Sequence, residues 1–116
     1  MIVGIGIDII EVNRIKKADQ KTRRFLERIF TKNELNYCLS KKNKYQHLAA
    51  RFAAKEAFFK AIGKRISWKD VEVRNLPSGK PELKLLNPSL SFEKIHLSLS
   101  HLKEYSLAVV ILEIEE

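Results

Sequence analysis

The chain has 116 residues, of which 45% are apolar and 31% charged, a composition typical of one soluble globular domain with a modest core. Its single cysteine, Cys38, excludes an internal disulfide and indicates a reducing compartment. No basic segment precedes the first apolar run, which Asp8 interrupts, and the late apolar run 107–112 is too short to span a membrane. We therefore expect neither a signal peptide nor a membrane anchor.

Positive charge is concentrated in one half of the chain. Residues 11–65 contain 16 of the 22 Lys and Arg residues but only 5 of the 14 acidic residues, and the whole chain carries a net charge of +8. A basic half of this kind indicates an anionic partner, which can be a nucleic acid, a phosphorylated small molecule or an acidic protein.

A first strand is predicted over residues 1–10. Alternation assigns three isoleucines to the core face and places two glycines and an acid on the other face, namely Ile5, Ile7 and Ile9 against Gly4, Gly6 and Asp8. Glycines beside an acid allow either a ligand or a second backbone to come close.

Two helices are predicted next. Asn13 is expected to cap a helix that runs to residue 29 on a helical period of apolar residues. Thr31 and Glu34 have the spacing of a capping box, which predicts a second helix ending near residue 40.

The most strongly predicted element is a helix over residues 47–63, which is rich in alanine, free of proline and closed by Gly63. Apolar side chains cover most of its sides, which indicates a buried helix. Four charged residues nevertheless lie on it, and each needs a partner or a function: Arg51, Lys55, Glu56 and Lys60.

After Gly63 the apolar period changes to two. Strands are predicted over residues 71–76, 81–86, 95–101 and 105–115, with Asp70, Glu72 and Arg74 facing away from the core. The continuous apolar run 107–112 indicates a central position for the last strand. The predicted class is therefore α+β, with an N-terminal strand, helices and then a mainly antiparallel sheet packed on the central helix.

Two acidic residues have surroundings that suit a metal ion. Asp8 lies on the glycine face of the first strand, and Glu56 lies on the mostly buried helix. Two carboxylates on separate elements suit Mg²⁺, which keeps several waters and takes further ligands from substrate phosphates. Lys60, four residues after Glu56, suits a phosphate or a leaving group. The simpler alternative is an acid at a strand edge and a structural Glu56–Lys60 ion pair.

Four motifs resemble the short class of the 4′-phosphopantetheinyl transferases, the holo-acyl-carrier-protein synthases: GIGIDIIEVNRI at 4–15, RFAAKEAFFKAIG at 51–63, GKP at 79–81 and SLSH at 98–101. They occur in the family's order over nearly the whole chain. The combination of Asp8 with the Lys55–Glu56 pair and Lys60 is specific, whereas GKP or SLSH alone would not be. The resemblance implies the fold of that family over one domain, residues 1–116.

The resemblance also implies a reaction. The family transfers the 4′-phosphopantetheine group of coenzyme A to a serine of apo acyl carrier protein, with Mg²⁺, and releases adenosine 3′,5′-bisphosphate in cytoplasmic fatty acid biosynthesis. Asp8 and Glu56 match its metal ligands, and the serine proton goes either to Glu56 or to a metal-bound water. Lys60 matches the lysine that neutralises the diphosphate and assists the leaving group.

Binding residues and assembly are implied in the same way. Candidates for contact with coenzyme A are Arg51, Lys55, Lys60, Gly79, Lys80, Pro81 and His101. Positions that dock the acidic helix of the carrier protein are Arg14, Arg24 and Arg28. The alternatives are a plain hairpin turn at 79–81, a surface histidine at 101 and a solvated helix face. The short class is a homotrimer with a site at each subunit interface.

Two positions depart from the family pattern. Ile10 stands where larger members of the superfamily carry another acid, so water is expected to complete the coordination. Residues 63–65, Gly-Lys-Arg, replace the Gly-Thr-Gly of many short members, which leaves the nucleotide contacts there undefined.

The rival interpretation is a small nucleic-acid-binding module. The basic half and a pI near 9.7 favour it. The predicted strands lack the aromatic platform of single-strand binders, and this interpretation leaves Asp8 and Glu56 unexplained. We therefore expect acyl carrier protein and coenzyme A as partners, and neither nucleic acid nor membrane.

Overall fold

A computed structural model describes residues 1–115 of the chain. The helices and strands, numbered in chain order, are β1 (Ile2–Glu11), α1 (Val12–Lys21), α2 (Phe25–Ile29), α3 (Lys32–Leu39), α4 (Lys44–Ile62), β2 (Val71–Asn75), β3 (Pro81–Leu85), β4 (Lys94–His101) and β5 (Tyr105–Glu113). A 3₁₀ turn, Trp68–Asp70, precedes β2. The predicted α+β class is confirmed.

The strands form two antiparallel sheets. The larger has the order β1-β5-β4, so β5 takes the central position that its apolar run predicts, and β2 pairs with β3 in the smaller. α4 packs across one face of the larger sheet against β1 and β5. The core lies between them, with Leu48, Phe58, Val110 and Leu112 among its buried side chains.

The face of β1 that packs on α4 is the glycine face and not the isoleucine face, so the predicted orientation of this strand is wrong. A Cβ built on Gly6 would lie 1.8 Å from the carbonyl oxygen of Ala57, and one on Gly4 would lie 2.2 Å from that of Ala61. Glycine therefore permits the strand backbone to lie directly on the helix backbone. Of the two alternatives that the glycines left open, a second backbone is the one that comes close.

The other face of β1 is apolar and open. Ile5, Ile7 and Ile9 are each more than half exposed. Their antiparallel neighbours on β5 extend this outer apolar face, in the pairs Ile5–Ile111, Ile7–Val109 and Ile9–Leu107. Alternation distinguishes the two faces of a strand but does not say which one the rest of the fold covers.

The predicted helix from Asn13 to residue 29 is two helices. The first, α1, begins at Val12 without a side-chain cap and ends at Lys21. The second, α2, begins at Phe25, directly after Arg24, which has a left-handed backbone with φ 63°. Residues 19–24 include no apolar side chain, so no packing holds a helical turn there. Arg14 and Arg24 therefore do not share one continuous helix face.

Local capping signals predict the next two helices well. Thr31 accepts a hydrogen bond from the Glu34 amide, and the Glu34 carboxylate accepts one from the Thr31 amide, which completes the capping box. α4 begins three residues before its predicted start and ends at Gly63, whose φ of 74° is the expected left-handed cap.

The prediction that Glu72 faces away from the core is wrong. Glu72 is buried and accepts hydrogen bonds from Thr31 and Arg74. Burial raises the pKa of Glu72, and these donors more than offset that effect, so its pKa lies below the ordinary value of 4.5. A buried acid in a predicted outward position thus serves to join α3 to the smaller sheet.

Candidate active site

Asp8 and Glu56 line one cleft because of the way β1 lies on α4. Gly4 faces Ala61 and Gly6 faces Ala57, so two strand residues, about 6.6 Å, match four helix residues, about 6 Å. The same step brings Asp8 alongside the preceding helical turn, near Glu56. Both side chains are 16% exposed, and both line a cleft of about 260 Å³ together with Arg14, Phe52 and Arg65.

Each carboxylate of the cleft is paired with a different cation. The Lys60 ammonium donates to the Ile7 carbonyl oxygen at 2.9 Å and to Asp8 Oδ1 at 3.3 Å. Arg65 donates from Nη1 to Glu56 Oε1 at 2.7 Å and from Nη2 to Oε2 at 3.3 Å. The Glu56–Lys60 ion pair considered as the simpler alternative does not form, because β1 draws the lysine toward Asp8.

The surroundings of Asp8 disfavour its charged form. Burial raises the pKa of this carboxyl above its ordinary value of 3.8, and the charge of Glu56 raises it further. The hydrogen bond and charge of Lys60 and the charge of Arg14 only partly offset this rise. A further cation near Asp8 would therefore be bound favourably.

The two carboxylates fit a hard divalent cation that keeps most of its water. Within residues 1–115 no group of three or more His, Cys, Asp or Glu side chains could enclose a metal ion. Ile10 is buried and supplies no oxygen. Asp8 and Glu56 are thus the residues that could hold Mg²⁺, with its remaining positions left to water or phosphate oxygens.

Lys55 does not face this cleft, and the prediction that it contacts coenzyme A is corrected. Its side chain is fully buried, and its ammonium donates to Glu34 Oε1 at 2.7 Å, to the Ile29 carbonyl at 2.8 Å and to the Trp68 carbonyl at 3.0 Å. All three donor positions of the ammonium are used inside the protein. Lys55 therefore ties α4 to α3 and to the 3₁₀ turn.

Three other residues that are predicted to contact coenzyme A lie together on another side of α4, namely Arg51, Gly79 and His101. The Arg51 guanidinium donates to Asn75 Oδ1 at 2.6 Å, and Asn75 in turn donates to the Gly79 carbonyl at 3.1 Å. The Arg51 guanidinium also lies 4.3 Å from the ring centre of Tyr37. The ring of His47 lies 5.7 Å from that of Tyr37 and 6.0 Å from that of His101.

Arg51 is almost fully buried, and its Nε is a buried donor without a partner among the described residues. Burial and the charge of Arg51 lower the pKa of His47. Gly79 has φ 91° with open space around it, so the turn conformation and not a close contact requires glycine there. Lys80 and Pro81 follow directly, with Pro81 as the first residue of β3.

The three predicted docking arginines separate into two places. Arg14 lines the cleft of Asp8 and Glu56. Arg24 and Arg28 line another cleft, of about 470 Å³, together with Glu27, which pairs with Arg24, and with Ser67 and Lys69. The helix break at residues 22–24 accounts for this separation.

Arg65 is the residue of the cleft that sequence reasoning missed. In the sequence, residues 63–65 stand out only as a departure from the family pattern. The available signal was Gly63, because a left-handed cap turns the chain back along the helix that it ends. It could indicate a return toward Glu56, but not which side chain would arrive there.

Residues 4–110 match the model of the 4′-phosphopantetheinyl transferase superfamily. The chain belongs to this superfamily. It is 47% identical over 121 residues to the holo-[acyl-carrier-protein] synthase of Halothermothrix orenii, covering 96% of this chain and 97% of that one. It is 46% identical over 119 residues to that of Bacillus subtilis, covering 97% of each chain.

Among solved structures, a holo-(acyl-carrier-protein) synthase of Bacillus anthracis, described in complex with CoA (3′,5′-ADP), is 47% identical and superimposes with a TM-score of 0.88 over 99% of both chains. The protein is thus an enzyme with the phosphopantetheinyl transferase fold. This match favours the enzyme over the nucleic-acid-binding interpretation. No helix in residues 1–115 combines the length and the apolar character needed to cross a membrane.

Proposed function

We propose that this transferase moves the 4′-phosphopantetheine group of coenzyme A to a serine of apo acyl carrier protein and releases adenosine 3′,5′-bisphosphate. The observation that carries the proposal is that Asp8 and Glu56 line one cleft, with Lys60 bonded to Asp8, in a chain 47% identical to a holo-[acyl-carrier-protein] synthase. The coenzyme A named for the Bacillus anthracis structure supports the donor.

Asp8 and Glu56 would hold Mg²⁺, since both supply the oxygen ligands that this ion prefers and both face the same cleft. The ion would neutralise charge on the diphosphate and polarise the phosphorus that the serine attacks. Ile10 keeps the wall beside Asp8 apolar, which leaves the metal with these two carboxylates among residues 1–115.

The reaction forms a bond from the serine oxygen to the β-phosphorus and breaks the bond from that phosphorus to the oxygen it shares with the nucleotide. The serine proton leaves as this bond forms, and the bridging oxygen departs with adenosine 3′,5′-bisphosphate. Lys60, half-exposed beside Asp8, would neutralise that oxygen as its charge develops. Glu56 would take the serine proton.

A complete site needs more than one protomer, in our proposal. Arg51 and Glu56 are five residues apart on α4, so they point about 140° apart around the helix axis. Arg51, Gly79 and His101 would then contact coenzyme A that is bound at the Asp8–Glu56 cleft of a neighbouring copy. Lys80 and Pro81 continue the same turn beside Gly79.

The outer apolar face supports assembly into the homotrimer of the short class. Three isoleucines of β1 and three apolar residues of β5 form a continuous surface on the side of the sheet opposite α4. Exposed patches of this kind mark protein interfaces. A second and third copy of this chain are the occupants that we assign to it.

Arg24 and Arg28 would dock the acidic helix of the carrier protein, with Lys69 adding a third cation to their cleft. Arginine suits this task because its planar fork bonds both oxygens of a carboxylate. Arg14 lies in the reaction cleft itself, so it would contact the carrier protein where the serine enters. We place the enzyme, as one domain of residues 1–116, in the cytoplasm and in fatty acid biosynthesis.

The test is a mass measurement on apo acyl carrier protein incubated with this protein, coenzyme A and MgCl₂. We expect the carrier protein to gain the mass of one phosphopantetheine group, and to gain nothing when EDTA replaces MgCl₂ or when the acceptor serine is changed to alanine. An unmodified carrier protein under the complete conditions would contradict the proposal.

A further inference from the structure

Arg65 is the one residue contacting a carboxylate of the cleft that the proposed reaction leaves without a role. Its guanidinium donates to both oxygens of Glu56, the paired geometry that makes arginine–carboxylate bonds strong and specific. Glu56 is also one of the two carboxylates proposed to hold the divalent cation. A guanidinium and a dication on the same carboxylate repel each other, so the two ligands of Glu56 compete.

The position of Arg65 allows it to move. Its side chain is 66% exposed, whereas the side chain of Lys55, which bonds to Glu34 of α3, is fully buried. The guanidinium lies 5.4 Å from the ring centre of Phe59 and 5.5 Å from that of Trp68. These rings keep the arginine at the mouth of the cleft without requiring its bond to Glu56.

The diphosphate of coenzyme A is the anion that would relieve the repulsion. A guanidinium released from Glu56 stays beside the cation, and phosphate oxygens between the two positive groups can bond both. The cation and coenzyme A would then each favour the binding of the other, and such coupling between two ligands is necessarily reciprocal.

We propose, resting on the function proposed above, that Arg65 couples the divalent cation to coenzyme A. In the ligand-free protein the Arg65 guanidinium bonds to the Glu56 carboxylate. When the cation binds that carboxylate, the guanidinium moves to the diphosphate of coenzyme A. Cation binding alone is weak, because it costs the Arg65–Glu56 bonds. Cation binding with coenzyme A is strong, because the guanidinium gains a phosphate partner.

The experiment measures Mg²⁺ affinity by calorimetry, with and without saturating coenzyme A and without carrier protein, so that no turnover occurs. The proteins are the wild type, Arg65→Ala, Arg65→Lys and the control Lys64→Ala, which removes an exposed charge from the same loop. Trp68 is the only tryptophan, so its fluorescence reports a change in the position of the guanidinium beside its ring.

The quantity compared is the factor by which coenzyme A increases the Mg²⁺ affinity of each protein. We expect this factor to be at least about fivefold larger in the wild type and in Lys64→Ala than in Arg65→Ala, which is the lower end of coupling between protein sites. Without coenzyme A, Arg65→Ala should bind Mg²⁺ more tightly than the wild type. Arg65→Lys, which keeps the charge and loses the fork, should lie between them. Mg²⁺ should change Trp68 emission in the wild type but not in Arg65→Ala.

Equal tightening by coenzyme A in the wild type and in Arg65→Ala overturns the inference while leaving the proposed function intact. A wild-type protein that binds neither Mg²⁺ nor coenzyme A overturns the proposed function and this inference with it.

Discussion

Lys60 bonds to Asp8, across the boundary between α4 and β1, and not to Glu56 one turn back on its own helix. The distance from Nζ to Asp8 Oδ1 is 3.3 Å, and the Ile7 carbonyl accepts a shorter bond of 2.9 Å. The ammonium is therefore anchored to the strand side of the cleft, and its side chain remains 53% exposed. That combination suits a group that must meet charge on a bound substrate.

Replacing Lys60 by alanine should lower kcat by about a hundredfold and change the KM for coenzyme A much less. The reason is that charge on the departing oxygen develops in the transition state, where a preorganised cation contributes most. Steady-state kinetics with varied coenzyme A separate the two parameters, and Lys64→Ala on the following loop is the matched control. A rise in KM alone would make Lys60 a ground-state phosphate contact.

Charge reversal at Arg24 or Arg28 should raise the KM for acyl carrier protein by roughly five- to tenfold, since each change removes one exposed pair and adds a repulsion. The KM for coenzyme A should hardly change, because the cleft of these arginines is not the cleft of Asp8. Added salt should narrow the difference from the wild type by screening. Lys84→Glu, an exposed reversal on β3, is the control, and an equal loss for both substrates would contradict the docking role.

The substitution Ile7→Asp should dissociate the proposed trimer. Ile7 lies in the middle of the outer apolar face, opposite Val109, so a carboxylate there would be buried without a partner in the assembly. Light scattering should give the mass of one 13.5 kDa chain for Ile7→Asp and three times that for the wild type. Leu39→Asp, which changes an exposed apolar residue outside this face, should remain trimeric. A monomeric wild type would contradict the assembly.

Removing one partner of the buried Lys55–Glu34 pair should lower the free energy of unfolding substantially. Lys55→Met leaves the Glu34 carboxylate buried without its cation, which typically costs about 3 kcal/mol or more. Denaturant unfolding measures the loss, and Lys64→Met on the surface should change stability by less than about 0.5 kcal/mol. A loss below about 1 kcal/mol for Lys55→Met would mean that the pair is not needed to hold α3 on α4.

Local signals in the sequence predict the parts of the fold that local chemistry decides. The Thr31–Glu34 capping box, the Gly63 cap and the central β5 strand all follow from residue type and spacing. Asp8 and Glu56 can also be selected from the sequence as candidate site residues. A charged group among glycines or on an apolar helix costs free energy unless it has a partner or a ligand.

Contacts between distant elements account for what the sequence did not predict. The isoleucines of β1 look like core residues, and only the approach of Ala57 to Gly6 decides that the glycine face is inside. Lys55 and Lys60 lie on one helix with similar neighbours, and the acids that they meet come from α3 and β1. The pairing of Arg65 with Glu56 depends in the same way on where the loop after α4 turns.

The most direct measurement is phosphopantetheine transfer by Asp8→Ala and Glu56→Ala at saturating MgCl₂, followed by the mass of the carrier protein. Neither variant should produce detectable product in the time in which the wild type and the exposed-acid control Glu93→Ala reach completion. Because the pKa of Asp8 is raised in the folded protein, its ionised form opposes folding at neutral pH, so Asp8→Ala should unfold at the same or a higher temperature. Near-normal transfer by either folded variant would contradict the central claim that these two carboxylates bind the metal ion that the reaction needs.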